Sequence, residues 1–243
     1  MEITAIIRDS LIDYPGKNSL VVFSRGCNFK CPYCYANEVF NRKKCINAFE
    51  YIGDWTDGLV LLGGEPTIYP SIFEFAKKIK DYRLSIKLDT NGSNPEILKK
   101  LIDESLIDYV AMDIKACPEL YEKVTGVKVD LKKLEESMKI LSNSKIKYEF
   151  RTTIIPLFID ENYRWLNKNE VKKIAEWIIK STDNSNHLYY LQKFISRKKS
   201  EMIDSKYSLD EIPNEFSETT IEILQELKNE IKPILKNVKI RGE

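Results

Sequence analysis

Six short apolar runs rich in β-branched residues recur along the chain, and each ends on small or polar residues. Residues 20–24 end at Arg25-Gly26, 59–62 at Gly63-Gly64, and 84–88 at Asp89-Thr90-Asn91-Gly92. Residues 109–112 run into Asp113-Ile114-Lys115, 147–150 into Arg151-Thr152-Thr153, and 187–191 into Gln192. Their length and composition predict strands. Helical spacing fills the gaps. Ser71 with Glu74 predicts a capping box ahead of Ile72, Phe73, Ala76 and Ile79 on one face. Asn94-Pro95 predicts a cap followed by a first-turn proline, with Ile97, Leu98, Leu101 and Ile102 behind it. Asp130 is placed to cap a helix carrying Leu131, Leu134 and Met138. Two more helices are marked by Val171, Ile174, Ala175 and Ile178, and by Ile221, Leu224 and Leu227.

Strands alternating with helices predict an α/β fold, a partial (β/α)6 barrel of parallel strands with functional groups at the C-terminal strand ends. One domain is expected over 1–243: an N-terminal hairpin or arm over 1–18 turning at Tyr14-Pro15-Gly16, six βα units over 19–195, and a C-terminal part over 196–243. That last part is expected to hold a helix and a short extra strand at Val238-Lys239-Ile240.

Composition narrows the class. The 243 residues are 43% hydrophobic and 31% charged, enough to bury a core without disulfides. Lys and Arg total 38 against 37 Asp and Glu, so no overall field favours nucleic acid or a membrane surface. The apolar runs are too short to span a bilayer, and Met1-Glu2-Ile3-Thr4 lacks the layout of a secretory signal. A cytoplasmic location follows as the expectation, and there thiols stay reduced. Three of the five cysteines lie within eight residues, which in such a compartment reads as metal binding or redox chemistry.

Cys27, Cys31 and Cys34 have the spacing C-x3-C-x2-C directly after the first run, so the thiols leave one strand end together. Gly26 permits a tight exit and Pro32 stiffens the curl. Cysteine thiolates hold iron–sulfur clusters, usually four to a 4Fe-4S cluster. Three leave one iron open to bind a substrate. A closed zinc site wants four ligands, often with histidine, and the single histidine, His187, falls far away on the sixth run. Cys45, placed on the following helix, and Cys117 read as plain small side chains. One cluster is therefore expected.

The stretch Cys27-Asn28-Phe29-Lys30-Cys31-Pro32-Tyr33-Cys34 with the barrel-like pattern behind it resembles the radical S-adenosylmethionine superfamily over nearly the whole chain. The resemblance implies that the methionine amino and carboxylate groups of S-adenosylmethionine chelate the fourth iron. It also implies that Tyr33, Cys34 (by its backbone) and Tyr35 hold the adenine. Gly63-Gly64-Glu65-Pro66 resembles the family's glycine-rich motif at the methionine amino group; by itself a Gly-Gly pair is just a turn. Asp113 and Lys115, two apart, share a face and suit a ribose hydroxyl and a carboxylate, or else a surface ion pair. Asn91 either closes a turn or faces the cofactor. Arg151 is a candidate for the methionine carboxylate or for an inter-strand ion pair, and Gln192 is a further candidate.

Within the superfamily, residues 10–17, 87–92, 112–115 and 149–153 resemble the activases of glycyl-radical enzymes, most of all those acting on anaerobic ribonucleoside-triphosphate reductase. Such activases commonly carry histidine and asparagine after the third cysteine, where this chain has Tyr35-Ala36-Asn37. The resemblance implies an external electron donor such as flavodoxin or ferredoxin, reductive cleavage of S-adenosylmethionine, and removal of an α-hydrogen from a glycine of the partner enzyme. Two other readings stand beside it. One is a small-molecule enzyme resembling the 7-carboxy-7-deazaguanine synthases, the other a non-catalytic iron–sulfur electron-transfer protein.

Overall fold

Alternation along the strands sorts the side chains into two layers. The computed structural model describes residues 1–242, and the side chains of Phe40 and Asn41 lie outside that description. Six parallel strands succeed one another in chain order: β2 (Ser19–Ser24), β3 (Gly58–Gly63), β4 (Ser85–Thr90), β5 (Tyr109–Asp113), β6 (Lys147–Ile154) and β9 (Leu188–Lys193). β1 (Ile3–Ser10) pairs antiparallel with β2 at one edge, and β10 (Asn237–Ile240) pairs parallel with β9 at the other. The expected N-terminal arm and extra C-terminal strand are both present.

Sequential order with right-handed crossovers lays the helices on one face of the sheet and leaves the other as a barrel interior. The helix-facing residues, such as Leu20, Val22, Leu61, Leu88, Val110 and Phe150, are buried in the main core. α2 (Ile72–Asp81), α3 (Pro95–Asp103), α5 (Leu131–Asn143), α6 (Lys168–Thr182) and α7 (Ile221–Ile231) each sink an apolar stripe into that core. Fully burying one such side chain is worth about 1.5–3 kcal/mol, so the cost of ordering the sheet is offset on this face.

The interior face is divided. Val21, Val60 and Tyr109 form a small apolar cluster, sealed from the arm by Tyr14. Beyond it, Lys87, Glu149 and Arg151 are buried charges on β4 and β6. Tyr14 reaches this position through the expected turn, in which the Lys17 N–H donates to the Tyr14 carbonyl at 3.1 Å and Gly16 has φ +75°.

Four local expectations differ from the structure. The Ser71 side chain makes no cap hydrogen bond, and Glu74 pairs with Lys78 one turn on. Asn94 donates to the Thr67 hydroxyl at 2.9 Å instead of capping α3. On α2 the buried aromatic is Phe75 rather than Phe73. Cys45 lies past the end of α1 (Asn37–Asn41), exposed and outside any helix. The hairpin β7 (Pro156–Ile159) and β8 (Asn162–Trp165) was not anticipated either. Its turn holds Asp160 at φ 49° and Glu161 at φ 63°, values that usually call for Asn-Gly or Asp-Gly.

His187 sits just before β9, buried between the Tyr148 and Thr182 hydroxyls, each 2.8 Å from a ring nitrogen. Burial lowers its pKa. The unfolded chain therefore takes up the proton first as pH falls below about 6.5. Thermal melts are expected to show stability falling below that pH, and a His187→Gln variant is expected to have a shallower slope there; parallel slopes would refute the account.

Candidate active site

The cysteine loop begins where β2 ends, and its root is pressed against the end of β3. A Cβ on Gly64 would stand 1.4 Å from the Gly26 carbonyl oxygen, and one on Gly63 would stand 2.4 Å from the Ser24 nitrogen. Gly63 also has φ +117°, a region L side chains rarely adopt. The backbones continue to pair past the ladder, with Gly64 N–H donating to Ser24 at 3.0 Å and Glu65 N–H to Gly26 at 2.9 Å. The glycines thus bring strand exit and cysteine loop into direct contact.

The Glu65 side chain points into the fold. It accepts from the Thr67 hydroxyl at 2.5 Å, the Thr67 N–H at 3.1 Å, the Thr90 hydroxyl at 2.7 Å and the Asn91 N–H at 2.6 Å. Burial raises its pKa, and those bonds oppose the rise. Asn91, fixed in this way, donates through Nδ2 to Asn28 at 2.9 Å and lies 3.9 Å from the Cys27 sulfur. Asn28 in turn donates to Ser93 at 2.8 Å.

Two further segments grip the loop. The Lys30 N–H donates to Thr125 at 2.8 Å, and Gly126, which ends α4 (Tyr121–Thr125) at φ +68°, packs so closely that a Cβ would meet the Lys30 carbonyl oxygen at 2.4 Å. From the C-terminal part, the Ile203 N–H donates to the Cys34 carbonyl at 2.9 Å and the Asp204 N–H to Pro32 at 3.1 Å. Neighbouring Met202 is buried in the main core. Tyr163 of the β7–β8 hairpin supports this strap by donating to the Lys206 carbonyl at 2.6 Å.

Cys27, Cys31 and Cys34 line one cavity of about 390 Å³ together with Tyr33, Tyr35, Gly63, Gly64 and Glu65. Asn91, Asp113, Lys115, Arg151 and Gln192 line the same cavity. Every residue singled out in the sequence as a ligand or cofactor contact therefore meets the others here. Among the described residues, no group of three His, Cys, Asp or Glu side chains is gathered to hold a single metal ion. A cluster asks for less convergence, because each thiolate binds its own iron. Burial pushes the Cys27 thiol up to about 12, with Glu65 adding to it, and the Cys31 thiol up to about 11 against the opposing charge of Lys115. Thiolates here are costly without a cation, and iron ions of a cluster would supply the compensating charge.

Across the cavity stands a chain of alternating charges. The Arg151 Nε donates to Asp113 at 2.7 Å and its Nη1 to Asp89 at 2.7 Å. Lys115 pairs with Asp113 at 2.8 Å, and Lys87 pairs with Asp89. Burial alone would neutralise these carboxyls, but Arg151 together with the flanking Lys115 and Lys87, through charge and hydrogen bonds, outweighs it and holds both Asp113 and Asp89 below the usual range. Burial likewise works against the Lys115 charge, and Asp113, Tyr33 and Cys31 together reverse it, raising the pKa. Lys87 goes the other way: its burial exceeds the pull of Asp89, and its pKa is lowered. Deeper in the barrel, Glu149 accepts from Tyr109 at 2.7 Å and from Arg241 at 2.6 Å.

Sequence reading did not single out Lys87, Asn28, Ser93, Gly126, Arg241 or residues 201–204 for the site. For Lys87 and Glu149 a signal exists: Ile86-Lys87-Leu88-Asp89 and Tyr148-Glu149-Phe150-Arg151 alternate apolar and charged, the period of a strand with a polar inner face. Contacts of Gly126 and of 201–204 are long-range and leave no local pattern. Cys117 is buried outside this cavity's lining, and Cys45 is exposed near Arg25.

Gly64→Ala tests the contact at the loop's root. The added methyl has no space, so a destabilisation of about 1–3 kcal/mol is expected, with iron and sulfide incorporation falling because the cysteine loop is displaced. Thermal melting and metal analysis read the two effects, and a variant matching wild type in both would refute the contact's role.

Residues 21–178 match the model of the radical SAM superfamily. A Methanocaldococcus jannaschii protein, provisionally named as a glycyl-radical enzyme activating enzyme, is 32% identical over 98% of this chain and 95% of its own length. The pyruvate formate-lyase-activating enzyme of Clostridium pasteurianum is 26% identical over 72% of this chain and 74% of its own. Among solved structures, SuiB of Streptococcus suis with S-adenosylmethionine bound shares the fold at a TM-score of 0.61 and 18% identity, covering 93% of this chain and 51% of that one. No helix among the described residues is long and apolar enough to cross a membrane. The chain belongs to the radical SAM superfamily, whose members use a 4Fe-4S cluster and S-adenosylmethionine.

Proposed function

We propose that this chain is a cytoplasmic activase that installs a glycyl radical on a partner enzyme, of the kind represented by anaerobic ribonucleoside-triphosphate reductase. One observation carries the reading: three thiols and a buried chain of alternating charges line a single cavity. The two relatives named as activating enzymes support the choice of partner.

Cys27, Cys31 and Cys34 hold the cluster and leave one iron for S-adenosylmethionine. When bound and reduced by an electron donor such as flavodoxin or ferredoxin, the two cofactors supply a 5′-deoxyadenosyl radical that takes an α-hydrogen from the partner's glycine. The chain's own residues position and exclude. Arg151 commits Nε and Nη1 to carboxylates, which leaves Nη2 for the methionine carboxylate. Asp113, kept ionised, accepts from a ribose hydroxyl, and Lys115 stays charged beside the thiols and the methionine carboxylate. The Gly63 and Gly64 backbone meets the amino group. Glu65, with its carboxylate fully engaged inside, acts by fixing that backbone and Asn91. Tyr33 and Tyr35, with the Cys34 backbone, flank the adenine, and Gln192 closes the far wall.

Anaerobic reconstitution is expected to give about four irons and four sulfides per chain. Cys31→Ala is expected to abolish cluster binding and 5′-deoxyadenosine formation; retained turnover would sink the assignment. Mixing the reduced holoenzyme with an anaerobic ribonucleoside-triphosphate reductase is expected to produce a glycyl radical signal in electron paramagnetic resonance. Active cleavage of S-adenosylmethionine with no such signal would overturn the activase reading.

A further inference from the structure

We infer that Lys87 is a positioning residue for S-adenosylmethionine: its ammonium occupies one oxygen of Asp89 and so keeps the Arg151 Nη2 free for the methionine carboxylate. The inference rests on the reading of Arg151 as the partner of that carboxylate.

Lys87 itself meets no ligand. It is 1% exposed and does not line the cavity, whereas Asp89, Asp113, Lys115 and Arg151 all line it. Keeping an ammonium group from water is costly, and burial lowers the Lys87 pKa accordingly. Glu149, also close to it, gives its two oxygens to Tyr109 and Arg241. The Lys87 ammonium bonds to Asp89 Oδ1 instead.

The contacts around Arg151 divide evenly. Asp89 gives Oδ1 to Lys87 and Oδ2 to Nη1 at 2.7 Å. Asp113 gives Oδ2 to Lys115 at 2.8 Å and Oδ1 to Nε at 2.7 Å. A guanidinium favours two parallel bonds to a single carboxylate. Two such forks are open to Arg151, and both consume Nη2: beside Nη1 on Asp89, or beside Nε on Asp113. In each, the second oxygen is the one that a lysine holds. The lysines thus turn each fork into a single bond, and Nη2 is left over. Lys115 also lines the cavity, so removing it would disturb the ligand directly. Lys87 reaches the ligand only through Asp89. Without it, Asp89 Oδ1 has no donor, and a small rotation of the carboxylate takes Nη2 alongside Nη1. The guanidinium is then spent within the protein.

The test measures binding by anaerobic equilibrium dialysis of reconstituted protein, with the cluster left oxidised so that no ligand is cleaved. Two ligands are compared, S-adenosylmethionine and decarboxylated S-adenosylmethionine, which lacks the methionine carboxylate. Lys87→Met is expected to weaken S-adenosylmethionine about tenfold and the decarboxylated ligand by less than about twofold. Iron and sulfide content is expected to match wild type. If Lys87→Met fails to load a cluster, Lys87→Gln, whose amide falls one bond short of Oδ1, is read in its place with the same expectation. Equal weakening of both ligands, or of neither, would overturn the inference. Arg151→Gln separates the two layers of the argument. Selective loss of S-adenosylmethionine in Arg151→Gln but not in Lys87→Met would overturn the role of Lys87 alone. No selective loss in Arg151→Gln would overturn the reading of Arg151 beneath it.

Discussion

The approach of Gly64 to the Gly26 carbonyl is the constraint on which the site depends. With no Cβ between them, the end of β3 and the start of the cysteine loop become one packed unit. Everything the loop carries is then referenced to the sheet, and the sheet presents Asp113 and Arg151 in register on β5 and β6. A flexible loop holding three thiols could gather iron; this one is held at a fixed distance from the charges that face it. Glu65 extends the same constraint to Asn91, so that β2, β3 and β4 share one hydrogen-bonded rim.

The charged interior is the second physical commitment. Arg151 between two aspartates, with a lysine outside each, forms an alternating chain in which no charge is left without an opposite neighbour. Ion pairs withdrawn from water return little net stability. The helix-facing core has to carry the sheet, and its strand-borne layer is apolar apart from Ser24, Thr90 and Thr152 near the strand ends. The barrel is thus divided between a face that stabilises and a face that binds.

Much of this was legible in the sequence for physical reasons. β2 and β3 announced themselves as almost continuously apolar runs, β4 and β6 by alternating apolar and polar residues, and the polar residues after each run marked the rim that lines the cavity. Asn94 misled as a cap because a side chain's cap preference is weak against a tertiary partner such as Thr67. The β7–β8 hairpin was hidden by a turn of Asp160 and Glu161 that lacks the usual glycine. Gly126 and residues 201–204 act on a loop far away in sequence, and a single chain read locally has no means of pairing them.

That last separation has a consequence in time. Cys27 to Cys34 leave the ribosome long before Ile203 and Asp204, whose N–H groups close on Pro32 and Cys34. Until those residues are made, the loop is anchored on the β3 side alone, then also by Gly126, and its strap is missing. The two backbone bonds that close the loop on its open side thus form only after the C-terminal part has been made.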